Sequence, residues 1–233
     1  SMMRDRLVLV RELLAPDGSV WVHLDDNEMA YARVLMDEVF GRSNFVATIV
    51  WQKSDSPRSS ARHFSTDQDY ILVFARSEDV WRPNRLPRSA DIHAKYKNPD
   101  DDPRGRWFGD NLRANKPYAL GRYAVEGPTG RVFEPVPGKF WRISEERFRE
   151  LDDDGRIWWG VKGDAFPTMK RYLSDVGDMV PRTVWLAEDV GSNRTSSNEM
   201  KRLFPNVETF STPKPERLME RVIRSGADPG DVV

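Results

Sequence analysis

Ser19-Val20-Trp21-Val22-His23-Leu24-Asp25-Asp26-Asn27 is the stretch on which the fold turns. Its first six residues are β-rich and follow Ala15-Pro16-Asp17-Gly18, a turn sequence in which proline sets one dihedral and glycine supplies the unusual one. Asp25-Asp26-Asn27 then offers an N-cap for a helix carrying Met29, Ala32, Met36 and Phe40 and ended by Gly41. A strand running into a helix, with carboxylates at the joint, sits where open α/β sheets place their ligands. Capping alone accounts for at least one of the two aspartates.

Working outward, Leu7, Val10, Leu13 and Leu14 have helical spacing, which predicts a helix before the strand. Phe45–Trp51 and Tyr70–Ala75 predict two neighbouring strands joined by a polar stretch, 53 to 69. After Arg76 the texture changes to Pro, Gly, Asp, Arg and isolated aromatics. Ser144-Glu145-Glu146 predicts a short helix there, followed by a strand or turn at Ile157-Trp158-Trp159. Ser196-Ser197-Asn198-Glu199 predicts a capping box for a helix through Phe204, and Thr212-Pro213 a cap and first-turn proline for a helix ending at Gly226. Asp231-Val232-Val233 looks like the first step of another strand. These shifts divide the chain into 1–78, 79–185 and 186–233.

The 233 residues include eight Trp, eleven Phe and no Cys, so disulfides and thiolate metal sites are excluded. His23, His63 and His93 are too scattered for a local metal site, and no metal is expected. The absence of a long apolar run predicts neither a membrane span nor export, and hence a cytoplasmic protein. Net charge is -1, yet Arg82–Arg142 holds thirteen Lys and Arg against seven Asp and Glu. That basic middle, interleaved with aromatics, suits phosphate contacts and base stacking through Arg104, Arg106, Trp107, Arg113, Lys116, Tyr118 and Arg122. A plain solvated surface has the same composition.

Asp17–Glu28, Met36–Gly41 and Asn44–Lys53, in that order, resemble the β-class amino-methyltransferases. Asp69–Ala75, Tyr96–Gly105 and Thr212–Leu218 resemble the type III modification subunits of the same class. The resemblance implies an S-adenosylmethionine-dependent, adenine-N6-specific DNA methyltransferase of a restriction-modification system, with a restriction subunit as partner. It implies an α/β chain: part of a Rossmann-like sheet in segments 1–78 and 186–233, with an α+β target-recognition insert between. It places Trp51 near a flipped base, although a core role fits that residue as well. It makes Asp25 part of the frame of the active-site cleft, and Thr212 and Lys214 a wall of the cofactor pocket at a helix start.

The family's Asp-Pro-Pro-Tyr loop and glycine-rich cofactor loop are both missing from this sequence, and Gln68 stands where the family has His. The chain therefore reads as a DNA-binding piece truncated at both ends, with no catalytic motif of its own and weak or no cofactor binding. A non-enzymatic interaction module, or one subunit of a split methyltransferase, is the rival reading. An incomplete sheet also predicts an open edge and dimerisation.

Overall fold

The structure, a computed structural model, describes residues 2–56, 60–88, 90–207 and 210–233, leaving aside the side chains of Ala90 and Asp91. In chain order it begins with α1 (Met2–Leu13), β1 (Ser19–Leu24), α2 (Met29–Phe40), β2 (Phe45–Gln52), β3 (Gln68–Ala75), α3 (Ala90–Ala94), β4 (Trp107–Asn111), β5 (Arg113–Ala114) and β6 (Val125–Glu126). It continues with β7 (Val132–Phe133), β8 (Phe140–Trp141), α4 (Glu145–Asp153), β9 (Ile157–Trp158), β10 (Thr168–Tyr172), β11 (Val184–Trp185), α5 (Ala187–Val190), α6 (Asn193–Leu203) and α7 (Glu216–Gly226). The chain forms two compact units, Ser1–Leu86 with Met179–Val233, and Pro87–Asp178. No described helix is long and apolar enough to cross a membrane.

The first unit is built on a four-stranded sheet of order β1-β3-β2-β11. β3 runs antiparallel to both neighbours and β11 runs parallel to β2, so β1, β2 and β11 all point the same way. Strand alternation sorts the side chains onto two faces. Leu72 and Phe74 pack with Leu7, Met36, Val39 and Phe40 under α1 and α2. Ile49, Trp51, Ile71, Val73 and Trp185 pack with Val190 and Leu218, from the side of α5 and α7. Helices on both faces explain why β3 reads as an almost unbroken apolar run after Asp69. Trp21 stacks on Trp185 at 6.3 Å, and the last turn of α7 comes so close that a Cβ at Gly226 would lie 2.8 Å from the Trp21 ring nitrogen.

Three expected helix starts move. Asp25 does not cap α2: its carboxylate accepts from the Asn27 backbone N–H and side-chain amide, and the helix begins at Met29 without a side-chain cap. The carboxylate is spent on a tight turn one step ahead of the helix. α6 starts a turn earlier than expected, with Ser192 and Thr195 forming a reciprocal capping box. Ser196 and Ser197 instead bond back to the Asn193 carbonyl. We expect Ser192→Ala to lower stability by about 1 kcal/mol, measured by urea denaturation. α7 starts at Glu216 rather than Thr212, because a residue before proline is steered away from helical dihedrals and prolines stand at 213 and 215. Val232 and Val233 are exposed and belong to no strand, so the expected terminal strand is absent from the described residues.

In the second unit a three-stranded sheet of order β4-β10-β9 is joined by two short ribbons, β5-β8 and β6-β7. Its core gathers Leu112, Trp141, Phe148, Ile157 and Trp159. The helix expected after Ser144 is present, and the Ser144 side chain accepts from the Arg147 N–H. The loop before β4 is held by an ionic cluster. Lys170, with a side chain 7% exposed, donates to Asp102 at 2.8 Å and also to Asp100. Arg104 and the Tyr172 hydroxyl donate to the same Asp102 carboxylate, and Trp107 donates its ring N–H to Asp100. Arg104, with Lys170 and Tyr172 behind it, holds the Asp102 carboxyl far below the usual range despite its burial.

Candidate active-site edge

Because β1, β2 and β11 are parallel, their carboxyl ends lie along one edge of the sheet, beside the amino end of β3. Ligands of open α/β sheets bind outside such an edge. The pairing Trp51↔Asp69 sets an indole and a carboxylate side by side there, with His23 one strand further along.

Asp69 is the hub. Its side chain is 9% exposed, and it meets His23 Nε2 at 3.1 Å, Lys53 Nζ at 2.7 Å and Lys214 Nζ at 3.6 Å. Burial pushes its pKa up, but hydrogen bonds from His23 and Lys53 outweigh that and bring it down to about 2. Trp51 forms the floor: it is fully buried, its ring N–H donates to the Gly191 carbonyl at 2.9 Å, and Lys214 Nζ lies 5.2 Å from its ring centroid. His23 packs edge-on against the same indole. Gly191, at φ 85, is held by this contact and by Pro215, whose Cβ would lie 2.7 Å from any side chain placed there. Lys214 therefore reaches the edge because Pro215 is wedged against the residue that also anchors Trp51.

Of the residues expected at this edge, Lys214 and Trp51 come together, while Thr212 is exposed on a bend. Trp51 offers no exposed ring face as it stands, so it supports Lys214 and His23 instead of presenting a stacking surface. Asp25 stands at the end of β1, and its pKa is lowered chiefly by the side-chain bond from Asn27. The α7 start expected to receive a cofactor carboxylate already holds one, since the Glu216 N–H donates to Glu199 at 3.1 Å. Asp69, Lys53 and His23 were not singled out from the sequence. A charged or titratable residue at the edge end of each of three consecutive strands was the signal available. Among the described residues no cluster of three or more His, Asp or Glu is placed to hold a metal.

In the second unit the expected cations separate into two groups. Arg104 is paired with Asp102 and Asp154 while its side chain stays 33% exposed, whereas Trp107 is 4% exposed with its ring N–H engaged and belongs to the scaffold. Arg106, Arg113, Lys116, Tyr118 and Arg122 are exposed.

The fold and this edge define a mixed α/β chain with a polar, charge-balanced rim at the carboxyl ends of parallel strands. The chain belongs to the N6/N4 DNA methylase family, whose model matches residues 1–233. It is 29% identical to the type III restriction-modification enzyme StyLTI Mod subunit of Salmonella typhimurium, over all of this chain and 35% of that protein. It is 29% identical to the type II methyltransferase M.EcaI of Enterobacter cloacae, over 99% of this chain and 48% of that protein. It is 21% identical to the EcoP15I Mod subunit of Escherichia coli, over 98% of this chain and 40% of that protein. The chain thus spans about a third to a half of the length of these relatives.

Proposed function

We propose that the chain is part of an S-adenosylmethionine-dependent, adenine-N6-specific DNA methyltransferase of a restriction-modification system. The first unit supplies one side of the active-site cleft, and residues 87–178 supply the DNA-recognition surface. The observation that carries this reading is the convergence of His23, Trp51, Lys53, Asp69 and Lys214 at the carboxyl edge of the sheet, in a chain of the DNA methylase family. On this reading the sheet is part of a Rossmann-like core and the second unit its inserted module; the parallel β1, β2 and β11 with helices on both faces support it. Restriction-modification names among the relatives support double-stranded DNA as substrate and a restriction subunit as partner.

The edge fits part of the methyl donor. Lys214 would face its carboxylate once drawn off Asp69, while Asp25, at the end of β1, has its own carboxylate engaged by Asn27. Bound S-adenosylmethionine supplies an electrophilic methyl group. The residues in hand would bind and orient; none of them takes the role of the absent Asp-Pro-Pro-Tyr loop, which in this family holds the flipped base. Among the described residues one side of β1 pairs with no strand, a sheet edge of the kind that recruits a second chain.

Two measurements test the reading. Titrating the chain into a fluorescently labelled mixed-sequence duplex across a salt series is expected to give micromolar binding that weakens steeply with salt. Incubation with tritiated S-adenosylmethionine and unmethylated plasmid is expected to give no incorporation. Absence of duplex binding at low salt argues for the rival, a non-enzymatic interaction module. Label in the DNA would overturn the assignment of an incomplete active site.

A further inference from the structure

Part of the positive charge of the second unit is already neutralised within it. Arg142 and Arg171 pair with Asp110, Arg156 with Asp154 and Asp175, Lys170 with Asp100 and Asp102. A different set meets around the β5-β8 ribbon. Arg113 is opposite Trp141 and Ala114 opposite Phe140, while the Trp141 N–H donates to the Gly121 carbonyl, so segments 113–115, 121–123 and 139–141 run side by side. They carry Arg113, Arg122 and Lys139, with Lys116 one residue beyond the first segment, and none of the four has a carboxylate partner among the described residues.

What these side chains do touch is informative. The Arg122 guanidinium stands 4.8 Å from the Phe140 ring centroid, and that of Arg113 stands 4.6 Å from Phe166. A guanidinium laid on an aromatic ring is fixed in orientation yet keeps its in-plane N–H donors for an external acceptor. Lys139 bonds to the neutral Asn115 at 2.6 Å, which positions the ammonium without cancelling its charge. Arg122 and Lys139 both line one groove of about 490 Å³, together with Tyr123 and Pro135-Val136-Pro137. Glu134 is its only carboxylate, so the ribbon and groove together carry four cations against one anion.

Resting on the reading that this chain engages DNA, we infer that the β5-β8 ribbon and its groove form the phosphate-contacting surface of the second unit. The partner is the backbone of duplex DNA, held by Arg113, Arg122 and Lys139, with Lys116 at the margin. The assignment moves the interface away from Arg104 and Trp107, which hold the loop before β4. Positive charge without internal neutralisation, pre-oriented on aromatic rings, is the complement of a polyanionic backbone and carries no base selectivity by itself.

The test uses the full chain, a labelled mixed-sequence duplex and the matching single strand, each across a salt series. Arg113→Ala/Arg122→Ala/Lys139→Ala is expected to weaken duplex binding by roughly thirtyfold or more and to lower the salt slope by two to three. Lys116→Gln/Lys139→Gln, which removes two charges but no stacked side chain, is expected to lower the slope by about two with an unchanged far-ultraviolet spectrum. Arg147→Ala/Arg149→Ala, which takes charge from the exposed face of α4, is the control and is expected to stay within about threefold. If wild type binds duplex and the ribbon variants match the control, this surface assignment is wrong while the wider reading stands. If wild type binds no duplex, both fall. Tighter binding to single strand than duplex, lost in the ribbon variants, would overturn the choice of duplex as partner.

Discussion

Replacing Asp102 with alanine is expected to unfold much of the second unit. Asp102 receives Arg104, Lys170 and Tyr172, and its side chain is 4% exposed. Without it the Lys170 ammonium remains buried with only Asp100, and the Tyr172 hydroxyl loses its acceptor in a fully buried position. Removing one partner of a buried pair costs about 3–5 kcal/mol, most of it the penalty on the charge left behind. That is comparable with the whole stability of a small domain. Amide hydrogen exchange should show loss of protection in Trp107–Asn111 and Thr168–Tyr172 while Gln68–Ala75 stays protected. Unchanged protection in β4 and β10 would mean the cluster is dispensable. A double replacement, Asp102→Asn with Lys170→Met, should recover part of the loss, because it removes the buried charge together with its partner.

Asp69→Asn is expected to give the second-largest effect, confined to the first unit. The folded-state pKa of Asp69, about 2, lies below its ordinary value of 3.8. A carboxylate whose pKa is depressed by folding adds stability that is fully present above pH 4 and is lost as pH falls through 2. The contribution is about 2 kcal/mol near neutral pH. Asparagine keeps the shape but not the charge, so the variant should unfold more readily at pH 7 and differ little from wild type near pH 2. A constant difference across that range would show that Asp69 acts through packing alone. Lys214 loses its nearest carboxylate in the same variant, so its ammonium should become more reactive toward acylating reagents.

The first unit was largely legible in the sequence because its strands are long and its patterns unambiguous. Ser19–Leu24, Phe45–Trp51 and Tyr70–Ala75 are apolar runs bounded by turn residues, and they appear as strands nearly where expected. Helix starts were less legible. Ser192, Ser196 and Ser197 are all capable caps, and tertiary contacts around Gly191 decide among them. The site was half legible. Lys214 and Trp51 could be named from resemblance, but Asp69 could not, because a lone aspartate at a strand end gains meaning only from partners 46 residues before it and 145 residues after it. The same limit applied to Arg104 and Trp107. In sequence they look like an exposed basic-aromatic pair, and nothing local reveals that Asp100 engages the buried Trp107 ring while Asp102 pairs with the Arg104 guanidinium.

The antiparallel bridge between Leu86 and Met179, with hydrogen bonds of 2.8 Å in both directions, closes the first unit across the two points where the chain leaves it and returns. Any segment spliced between those residues starts and finishes at neighbouring backbone positions, whatever its length. Both attachment points are thus fixed by the first unit's own backbone. A lineage could exchange the intervening ninety or so residues as a cassette while the two attachment points stay where they are.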